Sequence, residues 1–166
     1  MRSQTLIGAA LVLLVWGDPA LLGASGHGGH DSAPRKVTVR GRTVCLDDSG
    51  TPASSLEGCD SGETGFQFAL KSAGGEIYRF SSSDSRVTML TDPRVRASEL
   101  EVQGWLTPEN VLAIVHLYSI HEGRRYEPYY YCPTCNITSH TPGLCWCCRN
   151  PFEFHEDPVD PSGKKP

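Results

Sequence analysis

The sequence predicts a mainly β protein: a five-stranded barrel domain with one short helix, followed by a small cysteine-rich, metal-binding element at the C-terminal end. Three observations predict it. Between residues 36 and 121, runs rich in β-branched and aromatic residues alternate with clusters of Gly, Pro, Asp and Ser, the pattern of short strands and tight turns. One stretch in that span, residues 85–90 behind Asp84, carries a helix start signal. Five of the seven cysteines, Cys132, Cys135, Cys145, Cys147 and Cys148, crowd together near the end of the chain.

Taken in order, the chain opens with Arg2, an apolar run over residues 6–16, a Gly17-Asp18-Pro19 interruption, and the small residues Gly23, Ala24, Ser25 and Gly26. A basic head, an apolar middle and a small-residue cleavage region mark a secretory signal peptide, assigned to residues 1–25. The apolar run is shorter than the ~20 residues of a membrane span, and extending it would bury Asp18 and Pro19 in lipid. No cysteine follows it before Cys45, so the acceptor thiol of a bacterial lipoprotein is missing. The expectation is a secreted or periplasmic protein without a stable membrane anchor. The net charge is −4, and cleavage removes one charge of each sign, Arg2 and Asp18. Such a chain exerts no general attraction on nucleic acid or an anionic membrane. The ~140 residues left suffice for one domain with a modest core. The expected divisions are a flexible linker over 26–35, the barrel over 36–125, the cysteine-rich element over 126–155 and a disordered tail over 156–166.

Residues 36–47, KVTVRGRTVCLD, read as a long first strand. Val37 and Val39 share one parity while Val44 and Leu46 have the other, so a β-bulge at Gly41 is expected to return both pairs to one core. Residues 48–65 are loop chemistry with Cys59 inside. Phe66, Phe68 and Leu70 then alternate inward, and Ala73-Gly74-Gly75 turns the chain into a second hairpin strand over 76–80. Asp84 caps the short helix, which Asp92-Pro93 ends. Leu100, Val102, Gly104 and Leu106 alternate with Glu99, Glu101 and Gln103 as a half-buried strand. After the turn at residues 107–110, VLAIVHLYSIH is apolar on both parities and reads as a central strand buried on two sides.

Five strands, the first long and glycine-bearing, with a helix between the third and fourth, resemble an OB-fold in order and spacing over residues 36–121. That resemblance implies ligands on the face of the second and third strands, single-stranded nucleic acid or oligosaccharide. Arg40, Arg42, Lys71 and Arg79 with Tyr78, Phe66 or Phe68 would form such a basic, aromatic groove. The core demand for phenylalanine, the export signal and the negative charge argue against nucleic acid and favour a protein or glycan partner.

Cys132 and Cys135 form one CxxC and Cys145 and Cys148 a second, and two such pairs are what a tetrahedral zinc site uses. Pro142-Gly143 supplies the turn that doubles the chain back. The stretch 132–148 resembles a short zinc-ribbon or knuckle element, which makes zinc the leading cofactor. Cys147 between the second pair leaves the register open, since Cys132, Cys135, Cys145 and Cys147 count equally well. Disulfides among these thiols, or a redox-active or copper-binding site, are the other readings. Copper(I) suits soft thiolates, but Met89 is the one methionine beyond the leader. A redox pair wants a helix N-terminus, and residues 134–138 form helix poorly. His140 and His155 are alternative ligands, whereas His116 and His121 read as packed or exposed strand residues. A mature chain starting Ser25-Gly26-His27 would chelate Cu(II) or Ni(II) in a square plane. Cys45 and Cys59 are expected to pair in an oxidising compartment, closing the polar loop onto the first strand.

The tyrosines of residues 126–131 are expected to pack this element onto the barrel rather than to form an interface. Asn136-Ile137-Thr138 fits a glycosylation acceptor but reads as turn chemistry inside the cysteine cluster. There is no GxSxG elbow, phosphate-binding glycine loop or HExxH helix. The reading is an exported binding or interaction module, with an exported thiol oxidoreductase or metal-trafficking protein as the alternative.

Overall fold

The computed structural model describes residues 33–160, all within one compact unit. The expected signal peptide, the expected Ser25-Gly26-His27 chelate, most of the expected linker and residues 161–166 lie outside the described residues. The fold is mainly β, as the residue pattern predicts. β1 (Arg35–Leu46), β2 (Gln67–Ser72), β3 (Ile77–Phe80), β4 (Glu99–Leu106) and β5 (Val111–His121) pair in a closed ring. β1 meets β2 and β4, β2 meets β3, and β4 meets β5, all antiparallel; a parallel pair, Arg79 to Val111 and Phe80 to Leu112, joins β3 to β5 and closes it.

β1 can serve two partners because of Gly41. Its first half pairs with β4 and its second half with β2, and Gly41 faces Leu100 on one side and Ser72 on the other. A Cβ at Gly41 would sit 2.2 Å from the Lys71 carbonyl oxygen, so a side chain there would push the strands apart. The expected bulge at this glycine does not occur. Pairing is regular through it, and the odd positions Val39, Gly41, Thr43 and Cys45 all bury, while Val44 stays partly exposed. The polar Thr43 holds the phase that the apolar residues alone obscured.

The bulge falls instead in β5. Gln103 faces His116 and Gly104 faces Ile114, so Val115 has no opposite number in β4. Leu112 and Ile114 therefore share the inner face with Leu117, and Val115 and His116 turn outward. The two-parity apolar pattern of VLAIVHLYSIH is thus partly a change of phase rather than burial of both faces throughout; only its second half, residues 117–120, is buried continuously.

Between β3 and β4, Asp84 caps a 3₁₀ helix (Ser85–Thr91) by accepting from the Arg86 backbone N–H. A second short helix, which the pattern did not show, follows as α2 (Pro93–Ala97), because Asp92 caps it and proline fits its first position. Met89, Leu90 and Val95 from these turns bury among Leu70, Leu100 and Leu112. Each fully buried leucine contributes ~2–3 kcal/mol through surface withdrawn from water. In the long loop, α1 (Glu57–Ser61) carries Cys59, which is disulfide-bonded to Cys45.

The ring does not end in a separate appendix. After a two-residue turn at Glu122-Gly123, both at positive φ, β6 (Arg124–Cys132) pairs first with β5, then with β7 (Ile137–Ser139). β8 (Glu153–Val159) runs along β6 from Tyr131 back to Arg125. The expected boundary at residue 125 thus falls inside β6, and residues 156–159, expected in a disordered tail, belong to a strand. Tyr130 packs into the core with its ring 5.7 Å from that of Phe154, the packing role expected for the tyrosine stretch.

Asp92 ties the two regions together. Buried at the N-terminus of α2, it accepts from the Arg94 backbone N–H, both Nε and Nη2 of Arg94, and the Tyr130 hydroxyl at 3.0 Å. Arg94 in turn lies 4.2 Å over the Phe154 ring. The Arg94 hydrogen bond, outweighing burial, holds the Asp92 carboxyl below its ordinary value. A depressed carboxyl contributes stability that is present above its unfolded pKa, near ~4, and is lost as pH falls through the folded one. Asp92→Asn is expected to cost about 1–2 kcal/mol at pH 7, with the gap to wild type narrowing below about pH 4, in denaturant titrations at both pH values.

Candidate metal centre

The sheet delivers four cysteines to one point. Cys132 ends β6, and the turn through Pro133, Thr134, Cys135 and Asn136 returns the chain into β7 with Cys132 facing Ile137. The second turn is closed by the Arg149 N–H donating to the Cys145 carbonyl at 2.9 Å and the Cys145 N–H donating to the Asn150 carbonyl at 2.8 Å. A bridge between Leu144 and Pro151 completes it before β8. Each CxxC is followed by one residue in the left-handed region, Asn136 at φ 53° and Arg149 at φ 64°. The two turns are thus the same device used twice.

Sγ atoms of Cys132, Cys135, Cys145 and Cys148 lie within 4.8 Å of one another, with Cys132 and Cys148 at 3.4 Å. A tetrahedral ion with ~2.3 Å metal–sulfur bonds sets its sulfurs ~3.8 Å apart, so the group is the right size for one metal ion. Cys132 and Cys145 are buried, and Cys135 and Cys148 are partly covered. Cys147 is exposed and stands outside the group. The mutually close set thus holds Cys148 rather than Cys147, as the repeated i, i+3 turn geometry would have it, although the Cys147 thiol still reaches Cys135. The matched flank, a left-handed residue straight after each pair, is a signal the spacing offered only at Asn136, since arginine seldom takes that conformation.

None of the five thiols is bonded to another. The backbone N–H of Cys148, and after it that of Cys147, draws the Cys145 thiol down to about 7 against its burial. Hydrogen bonds with the Cys147 and Cys148 thiols push Cys135 far up, and burial raises Cys132. Cys145 thus favours the thiolate beside Cys132 and Cys135, whose thiols are held protonated. A divalent cation reverses that balance, since opposite charge at bonding distance favours all the thiolates.

The histidines stand apart from this group. His140, exposed as a residue but with its ring partly covered, borders a 130 Å³ cavity with Arg86, Met89 and Glu127, and that covering and then Arg86 lower its pKa. His155 stacks on Tyr129, His116 on Tyr118, and His121 lies 3.2 Å from Glu156. Neither His140 nor His155 is a member of the metal-sized set, which among the described residues is the cysteine group alone. Asn136 accepts a 2.9 Å hydrogen bond from Tyr131, the turn role expected of it.

The cationic half of the expected groove shares one exposed sheet face, with Arg42 opposite Lys71 and Arg79 opposite Ala69, but the aromatic half turns to the core instead. Phe68 is in the core with Phe66 packed against it, Arg42 donates to the Ala97 carbonyl, and Arg79 donates to that of Glu109. Among the described residues no helix is long and apolar enough to cross a membrane. Comparison of the chain with protein families, curated proteins and solved structures finds no significant match. Fold and site alone define the class: a mainly β protein with a five-strand ring, one disulfide and a C-terminal cysteine group able to hold a metal ion.

Proposed function

We propose that this is an exported binding module, an OB-like barrel whose C-terminal strands are locked by a structural zinc ion on Cys132, Cys135, Cys145 and Cys148. The observation that carries the reading is the convergence of four sulfurs from two matching turns. Four thiolates fill a tetrahedral shell and leave no position for substrate, which suits a structural ion rather than a catalytic one. The strand order of the ring, with its parallel closure and the helices between β3 and β4, supports the OB-like assignment. The Cys45–Cys59 disulfide is compatible with an oxidising compartment and agrees with the leader-like residues 1–25. A protein or glycan is the partner class in keeping with a net negative, exported chain, and nucleic acid is disfavoured.

One feature favours a second reading, metal trafficking or thiol chemistry: exposed Cys147 sits beside the four. A carrier surrenders its ion, zinc or copper, to a chelator with the fold intact, whereas a structural site unfolds locally when stripped. Native mass spectrometry with thiol alkylation separates these readings. The expected result is one zinc per chain, four cysteines protected, Cys147 alkylated, and Cys45 and Cys59 reactive only after reduction. A metal-free mass with disulfides among the C-terminal five would overturn the proposal.

A further inference from the structure

We propose that the cleft lined by Arg40, Arg124 and Arg125 binds a small organic oxyanion, a ligand carrying a carboxylate, sulfate or phosphate on a carbon body. The cleft lies where β1, the β5–β6 turn and the end of β8 meet, and Gly123, Pro158, Val159 and Asp160 complete it. Its volume is about 500 Å³, inside the ~300–1,000 Å³ of small-molecule sites and far more than a lone ion needs.

The arginines are held ready by a carboxylate beneath them. Glu101 is 3% exposed, and the Arg40 Nε donates to it at 2.7 Å while the Arg125 Nε approaches to 3.4 Å. Both guanidinium groups turn the Nε edge to the same carboxylate, and among the described residues their terminal nitrogens make no hydrogen bond. The Arg125 guanidinium is further set over the Tyr118 ring at 5.9 Å. Arg124 has no ion pair among the described residues. Burying Glu101 between two arginines gains little over apolar side chains of similar shape, so its clearer effect is orientation. A fixed arginine fork suits an oxyanion, which it can bind through two parallel hydrogen bonds.

Charge and lining then narrow the ligand. Among the described residues at the cleft, three cations stand against Glu101 and Asp160, in a chain whose net charge is −4. A single anionic group balances the cleft. Pro158 and Val159 offer an apolar wall to a carbon skeleton. An acidic sugar or a sugar phosphate ester has both parts.

This inference rests on the binding-module reading and gives it a ligand class, but it is independent of the metal. Its test uses the full, metal-loaded chain, titrated with glucuronate, inorganic phosphate and neutral glucose while the arginine Nε–H signals are followed by NMR. Saturable shifts at the cleft arginines are expected with the two anions and not with glucose. Arg40→Gln and Arg124→Gln should each weaken binding about tenfold, and Arg79→Gln, at a distant carbonyl, should leave it unchanged. Tighter glucuronate points to an acidic sugar, and tighter phosphate to a phosphate or sulfate ester. Should Arg40→Gln unfold by depriving Glu101 of a partner, Arg124→Gln, with no ion pair among the described residues to lose, decides. No saturation by about 10 mM of either anion, well beyond the millimolar end of specific affinity, would overturn the inference, as would cleft variants that bind like wild type. Zinc content in the same samples keeps the two proposals apart, since intact zinc without oxyanion binding sinks this one alone.

Discussion

Cys145→Ser is expected to release the metal and melt the C-terminal turns while the five-strand ring stays folded. Cys145 is fully buried, and its sulfur is the one that the backbone N–H groups of Cys148 and Cys147 converge upon. Serine is close in size but removes the soft donor, leaving three thiolates around an ion that wants four ligands. Structural zinc in small domains contributes apparent free energies of ~10–16 kcal/mol, so losing one ligand should cost several kcal/mol locally. The segment at risk runs from the end of β6 through β7 and the Cys145 turn to the start of β8, where, beside the cysteine group, core contacts come from the partly buried Phe152 and Phe154. The ring has its own core around Leu70, Leu100 and Leu112 and should survive. Hydrogen exchange should show lost protection over residues 132–154 and near-native protection in β1, β4 and β5. Acid should mimic the substitution, because protons compete with the metal for thiolates as pH falls. Cys147→Ser should change neither metal content nor protection. If Cys147→Ser lost the metal while Cys148→Ser kept it, Cys147 and not Cys148 would be the fourth ligand.

What the sequence revealed and what it hid divide along a physical line. Strand positions were legible because the inner residues of β4 alternate with polar ones, and the helix after Asp84 was legible because its cap is a local signal. The phase of β1 was misjudged because a buried threonine and a buried glycine carry no hydropathy, so the apolar residues seemed to change sides at Gly41. The true bulge at Val115 was hidden for the opposite reason: Leu112 to Leu117 is apolar almost throughout, and an outward valine looks like an inward one. β8 was missed because EFHEDPV is acidic and contains Pro158, and only its partner β6 makes it a strand. In the cysteine group, spacing identified the pairs, but choosing Cys148 over Cys147 needed the second turn's backbone bonds. Glu101 illustrates the same limit, since it reads as an exposed strand residue until Arg40 and Arg125 are brought to it from other strands.

Removing the Cys45–Cys59 disulfide, by Cys45→Ala with Cys59→Ala, is expected to cost about 3 kcal/mol and lower the melting temperature by about 10 °C. The bond joins residues 14 apart in sequence, the end of β1 and the helix α1 inside a loop rich in Ser, Gly, Asp and Glu. Besides the bond, that loop is held by the Asp60–Arg96 ion pair at 2.6 Å, a Leu46–Pro52 bridge, the partly buried Ala53 and Leu56, and the short-range bonds that Asp47 accepts from Ser49 and Thr51. In the unfolded chain the bond removes conformations that the loop would otherwise explore, which is the main source of its stabilisation in the chain-entropy account. In the folded chain both cysteines are buried, so two alanines also leave a small void in the core. Chemical denaturation of the double variant should show a lower midpoint and a steeper slope, because its unfolded state is more expanded. Mild reduction of the wild type should give most of that loss, without the part due to the void, and with any bound metal retained, since a reductant breaks the disulfide and leaves metal thiolates intact. A change below about 0.5 kcal/mol would mean that the loop is ordered by other contacts and that the bond is incidental to stability.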